Sequence, residues 1–214
     1  MDCCAMPESE RSWPLAVMSF AGMWILMMVP MMLPVLIPSL ARYRRAIGAT
    51  GGWGSSSLTA LAGTGYFLVW AALGILLGPL AAGLAALEAR VPVLTGVVPI
   101  AAGAVVLIAG FMQISAWKAR GIECCREEPG TMSSDPSTAW RHGVRLGVDC
   151  LRCCGNLMAI LLALGMMDAR WMMAVTAAIT VERIAPSGLP VARAIGFAVI
   201  ICGVFMIARA SGLS

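Results

Sequence analysis

Charged side chains are scarce in this sequence, and their scarcity excludes an ordinary soluble domain. Lysine, arginine, aspartate and glutamate make up 12% of the 214 residues, while hydrophobic residues make up 60%. Because so few charges cannot cover a water-exposed surface, lipid must surround most of the chain. The net charge of +4 is too small to indicate nucleic-acid binding.

The short alternating apolar segments of a transmembrane β-barrel are also lacking. The apolar runs are instead near-continuous and about twenty residues long, which is the length of a membrane-spanning helix. Since the backbone must satisfy its own hydrogen bonds in lipid, these runs predict helices. We predict an all-α fold, a polytopic transmembrane bundle of about six helices in the lipid bilayer.

Six apolar segments define the predicted organisation, at residues 13–37, 58–80, 93–117, 147–167, 171–184 and 189–208. They predict one transmembrane domain over residues 13–209 that contains a long polar loop at 118–146, with tails at 1–12 and 210–214. No basic region and no small-residue cleavage site precedes the first segment, so we expect it to persist as a helix.

The basic residues are distributed unevenly between the predicted connectors. With the N-terminus outside, the inner side holds eleven of the fifteen basic residues: Arg42, Arg44, Arg45, Lys118, Arg120, Arg126, Arg141, Arg145, Arg152, Arg183 and Arg193. This asymmetry predicts a multi-pass protein of a bacterial inner (cytoplasmic) membrane with both termini outside. Most cysteines then face a reducing compartment, where thiols stay available for metal.

Motifs for common enzyme chemistry are absent, and the most informative group is a set of cysteines. There is no phosphate-binding loop, nucleophile elbow, HExxH motif or catalytic carboxylate pair. Cys150, Cys153 and Cys154 are three and four residues apart, so a helix would place them on one face, with Met158 a turn further. Three thiols and one thioether would then converge.

Further candidate ligands lie in the polar segment before this group. Cys124 and Cys125 are adjacent near its start, and His142, the one histidine, lies between the two cysteine groups. Thiolate and thioether are soft ligands that favour Cu(I), and zinc is the alternative if imidazole joins them. Cysteine is also a small buried hydrophobe, the interpretation we favour for Cys202. Cys3 and Cys4 would lie in the tail, where they could capture metal or do nothing.

Methionines are concentrated in the first apolar segment. Met27 and Met31 continue one helical row, and Met28 and Met32 continue the next. Pro30 and Pro34 each remove one helical hydrogen bond, which leaves carbonyls beside the thioethers. These methionines could bind a soft cation or simply fill space around a proline kink. A second group near the predicted outer turn, with the same two interpretations, comprises Met166, Met167, Met172 and Met173.

Two other features have structural interpretations. Glu182 and Arg183 should lie near the inner interface, because charges at the centre of a membrane helix are costly. Glu182 is either a functional carboxylate or a helix-end residue paired with a basic side chain, and we expect the pairing. Gly74 and Gly78 form a GxxxG motif, which indicates close helix packing.

Several pieces of the chain together resemble a bacterial family described as predicted metal-binding integral membrane proteins. The pieces are WILMMVPMMLP (24–34), GYFLVW (65–70), AGFMQISAWK (109–118), Cys125-Arg126 with Pro129, His142-Gly143, CLRCCGNLM (150–158), GMMDARWM (165–172) and ERIAP (182–186). This family is a former domain of unknown function for which copper supply to copper enzymes is the suggested role.

The resemblance implies metal handling at particular positions. Carried over residue by residue, these are Cys125, Cys150, Cys153, Cys154 and the pair Met31-Met32. The chain departs from the family pattern where Cys124 and Cys125 are adjacent instead of separated. It departs again at Arg152, where a glycine is common.

Three functions are compatible with these patterns. The first is Cu(I) binding at the inner thiols and delivery to a copper-dependent enzyme or copper chaperone. The second is a membrane thiol-disulfide oxidoreductase with Cys150 and Cys153 as a CxxC pair. The third is a non-catalytic assembly subunit whose cysteines only pack. We favour copper delivery, without enzyme activity.

Overall fold

The described part of the chain is built from helices alone. The computed structural model describes residues 8–48, 54–91, 94–126, 134–165, 168–185 and 187–212, and no strand occurs among them. Seven helices follow one another in these residues: α1 (Glu8–Ile47), α2 (Ser55–Arg90), α3 (Leu94–Ile114), α4 (Ala116–Arg126), α5 (Pro136–Leu164), α6 (Ala169–Ile184) and α7 (Gly188–Ala210). The all-α prediction is confirmed.

Five of the described helices are long and apolar enough to cross a membrane. The candidate spans are Val17–Ile47, Ser55–Glu88, Gly96–Ile114, Pro136–Leu164 and Gly188–Ala210. Large apolar side chains such as Leu26 and Ile201 are exposed on the outside of the bundle, as expected for groups that contact acyl chains. Helix α6 occupies the predicted fifth segment, but at 16 residues it is shorter than these five.

The polar segment at 118–146, which we expected to be a loop, is mostly helical. Helix α4 continues to Arg126, and α5 begins at Pro136, eleven residues before the predicted fourth segment. Asp135 caps α5, since its carboxylate accepts hydrogen bonds from the backbone N–H groups of Ser137 and Thr138 at 3.0 and 3.4 Å. The first turns of α5 pack through the small residues Ala139 and Gly143, which are buried. The polar residues of these turns lie on the other faces of the helix.

Glycines determine how closely α2 and α5 approach. A Cβ added at Gly143 would lie 2.0 Å from the carbonyl oxygen of Ala62, and one at Gly147 would lie 3.0 Å from that of Tyr66. The contact partners advance together along the two helices, so α2 and α5 run in the same direction. This close parallel contact brings the side chain of Tyr66 to the cysteine-bearing face of α5.

Helix α1 packs against α2 in the opposite direction. Trp24 lies against Gly74, and Phe20, one turn earlier, lies against Gly78. The indole N–H of Trp24 donates a hydrogen bond to the carbonyl of Trp70 at 2.9 Å. The GxxxG motif therefore serves close packing, as predicted, and α1 is antiparallel to both α2 and α5.

Candidate metal centre

The cysteines of α5 form a buried row of sulfur atoms. Cys150, Cys153 and Cys154 are each 1% exposed, and Met158 is 2% exposed. The sulfur atoms of Cys150 and Cys154 are 3.8 Å apart, as expected for side chains separated by one helical turn. The three cysteines are thiols and not disulfides. The structure therefore places two candidate sulfur ligands in contact inside a buried core.

Tyr66 adds a polar contact to this row. Its hydroxyl group donates a hydrogen bond to the sulfur of Cys150 at 3.1 Å, and the side chain is 2% exposed. A hydrogen bond to a ligand atom orients that atom and tunes its donor strength. Sequence reasoning missed Tyr66, because the close contact of α2 with α5 depends on packing between distant parts of the chain.

The methionines of α1 belong to the same buried cluster as the thiols. Met27, Met28, Met31 and Met32 are between 0% and 6% exposed, and all four pack in the cluster that contains the α5 cysteines. Helix α1 continues through both Pro30 and Pro34. One hydrophobic core thus contains both groups of candidate sulfur ligands.

A small cavity defines the level at which α1 and α5 meet. Its volume is about 20 Å³, and it is lined by Val35, Leu36, Ser39, Tyr66, Leu146, Asp149, Cys150 and Arg183. This volume is enough for about one water-sized sphere. Cys150 lines this cavity together with two charged residues, Asp149 and Arg183.

Sulfur-bearing residues continue from this level along both helices. Helices α1 and α5 are antiparallel. Away from the cavity, α5 therefore leads from Cys150 forward to Met158, and α1 leads in the same direction from Val35 back to Met27. Each of these two stretches covers roughly 12 Å at the usual rise of an α-helix. Soft side chains therefore extend from the cavity into the membrane domain on two sides.

A chain of polar side chains, most of them buried, lies beside Cys153. Lys118 of α4 forms an ion pair with Glu182 of α6 at 2.7 Å, and both side chains are 2% exposed. The Lys118 ammonium also donates to the carbonyl oxygen of Cys153 at 2.6 Å. The amide of Gln113 donates to Glu182, and that of Asn156 donates to Gln113. Four helices are joined at this point.

The expectation that Glu182 pairs with a basic side chain is confirmed, but its partners were not foreseen. Lys118 was interpreted as a loop residue, whereas it is buried and lies in α4. The one available signal was the polar Gln113 within an apolar segment, since such a residue needs a hydrogen-bonding partner.

His142 does not join the α5 sulfur row. Its ring stacks on Tyr43, with ring centroids 4.7 Å apart. It precedes Cys150 by eight residues of the same helix, which corresponds to roughly 12 Å along the axis. The structure therefore places the imidazole away from the thiols.

The remaining candidate residues are only partly described. Cys124 and Cys125 lie in α4, one turn after Gly121, whose backbone packs against Cys153, but their side chains are outside the described residues. Cys202 is half-buried in α7. Met172 packs against the core cluster, whereas Met173 is 66% exposed. Residues outside the described ranges include Cys3, Cys4, Met166 and Met167.

Histidine, cysteine and carboxylate side chains do not form a closed metal cage in the described ranges. No group of three or more of them there has the geometry to hold an ion. Methionine is not one of these residue types, so this statement does not concern the thioethers. The described residues form a buried row of three thiols, in which Cys150 contacts Cys154, with the thioether of Met158 one turn further along the helix.

One comparison with known proteins indicates a copper-related family. The chain matches no curated protein and no solved structure. A family model described as PpoB2, copper chaperone, matches residues 21–206, which include α2 to α6 and nearly all of α7. With the match covering most of its length, this chain belongs to the PpoB2 copper chaperone family.

Proposed function

We propose that the protein binds Cu(I) at the thiols of α5 and delivers it to a copper-dependent enzyme or a second copper chaperone. The supporting observation is the 3.8 Å contact between the sulfur atoms of Cys150 and Cys154 in a buried core. Sulfur ligands favour Cu(I) over harder ions, and Cu(I) accepts a low number of ligands. Zinc is disfavoured, because the imidazole of His142 lies about two helical turns away from the thiols and cannot share an ion with them.

We propose an inner-membrane location with the N-terminus outside, in which the thiols form the entry point. Exchange from thiolates to thioethers weakens the ligand set step by step, so that an ion is able to leave as well as to enter. Met158 of α5 and the buried methionines of α1 supply such thioethers in the direction away from the cavity. Copper would move outward along this path.

Burial favours copper binding over thiol-disulfide exchange. Exchange requires one thiolate to attack a disulfide of a partner, and this requires access. The predicted CxxC pair, Cys150 and Cys153, is 1% exposed at both positions.

The proposal is tested by anaerobic purification of the full chain in detergent, followed by competition with a Cu(I) chelator. The variant with Cys150→Ser, Cys153→Ser and Cys154→Ser should lose tight copper binding. Cys202→Ser is the matched control, because Cys202 lies in α7 and not in the sulfur row of α5, and it should bind copper like the unmodified protein.

The same variants separate copper binding from simple packing. Serine in place of a buried thiol costs stability wherever its hydroxyl lacks a partner, so helicity and unfolding are measured in parallel. A triple variant that is folded and retains full copper affinity refutes the proposal and supports the assembly-subunit hypothesis.

A further inference from the structure

The ion pair between Lys118 and Glu182 has no part in the ligand set proposed above. Both side chains are buried, and the ammonium contacts the backbone of Cys153 at 2.6 Å. A buried ion pair is often replaceable by apolar residues without loss of stability. Ionisable residues within a membrane domain are accordingly candidates for a functional role.

Copper binding creates a need that such a pair would meet. When Cu(I) replaces the protons of two thiols, two copper–sulfur bonds form, both protons leave to solvent, and the copper–dithiolate unit carries one net negative charge. An anion in a dry interior needs a nearby cation. Lys118 is a buried cation placed directly beside the thiol-bearing turn of α5.

We infer that Lys118 is the counter-charge for the copper–dithiolate unit and that Glu182 neutralises it while no copper is bound. The carboxylate pairs with the ammonium and accepts a hydrogen bond from the amide of Gln113, to which Asn156 donates in turn. Neither charged residue contacts copper in this arrangement. The inference depends on the proposed function, since it assumes copper at the α5 thiols.

The competing explanation is that the ion pair has only a structural role, as a brace: a set of contacts that holds four helices together. The two explanations predict different effects on Cu(I) affinity when either charge is removed. For a counter-charge, loss of Lys118 removes attraction for the anionic unit, whereas loss of the Glu182 charge leaves the ammonium less neutralised. Glu182→Gln should therefore bind Cu(I) as tightly as the unmodified protein, or more tightly. For a brace, both substitutions weaken the same structure.

The test measures Cu(I) affinity by anaerobic chelator competition on the full chain in detergent, with unfolding followed in parallel. The variants are Lys118→Met, Glu182→Gln and the double variant, each compared with the unmodified protein. We expect Lys118→Met to weaken binding at least about tenfold, the effect of removing one nearby opposite charge. The double variant should bind more weakly than Glu182→Gln by a similar factor.

The double variant keeps the test decisive if Lys118→Met leaves Glu182 unpaired and fails to fold. It contains no buried charge at this position, and it differs from Glu182→Gln at Lys118 alone. Equal affinities of these two folded proteins overturn the inference, as does a Glu182→Gln variant that is weakened as much as Lys118→Met.

The outcomes also separate this inference from the proposed function. Copper binding that requires the α5 thiols but is insensitive to Lys118 refutes the counter-charge alone. Copper binding that does not require the thiols refutes both.

Discussion

The contact of Gly143 with α2 provides a sharp test of how the bundle positions its sulfur row. In a Gly143→Ala variant the new Cβ would lie 2.0 Å from the carbonyl oxygen of Ala62, whereas ordinary contacts begin at 3.4 Å. The helices would have to separate by roughly 1.4 Å at this level. Overpacking of this kind costs about 1 to 3 kcal/mol.

The separation would also reach the candidate metal centre. Tyr66 lies one turn beyond Ala62 on α2, and its hydrogen bond to the sulfur of Cys150 is 3.1 Å long. An added 1.4 Å would lengthen that distance to roughly 4.5 Å, which is too long for a hydrogen bond. Loss of this bond adds about 1 kcal/mol, so we expect a total destabilisation of about 2 to 4 kcal/mol.

Gly155→Ala is the matched control on the same helix. Its added Cβ would meet only Leu151 Cδ1, at an ordinary distance of 3.5 Å. Alanine favours a helix over glycine by up to about 1 kcal/mol, so this variant should be unchanged or stabilised. Equilibrium unfolding in mixed micelles, with copper retention measured on the same samples, compares the two. Equal unfolding midpoints for the two variants would contradict the close packing of α2 and α5.

Two further predictions concern the surroundings of the sulfur row. Tyr66→Phe keeps the ring and removes the hydrogen bond to Cys150. By analogy with other residues that orient metal ligands, Cu(I) affinity should fall about tenfold in chelator competition. Unchanged affinity would exclude Tyr66 from the site. Leucine at both Met31 and Met32 should change the free energy of unfolding by less than about 1.5 kcal/mol for each substitution, because the side-chain volume is similar. The same variant should slow copper transfer to an acceptor while thiol-bound copper is retained, and an unaltered transfer rate would assign these methionines to packing alone.

The sequence predicted the features that depend on local spacing. Apolar runs of membrane-spanning length predicted the helices, and the separation of Cys150 from Cys154 by four residues predicted their contact. The start of α5 also had a local signal, since Asp135-Pro136 is a typical helix beginning. We missed it because the polar composition of the following residues suggested a loop.

Features that depend on distant partners could not be predicted in the same way. The burial of Lys118 requires the carboxylate of Glu182, which lies on another helix far along the chain. The hydroxyl of Tyr66 reaches Cys150 only because Gly143 and Gly147 admit α2 so closely. Likewise, His142 stacks on Tyr43 of another helix, and the hydrophobic periodicity of the sequence does not predict that these two helices are adjacent.

The volume of the cavity beside Cys150 constrains the form in which copper could arrive by this route. At about 20 Å³, it has room for about one water-sized particle and is smaller than a peptide or a thiol metabolite. If the proposed copper site is loaded from this side, a carrier of that size would stay outside the cavity in this conformation. Release of the ion by the carrier and its arrival beside Cys150 would then coincide.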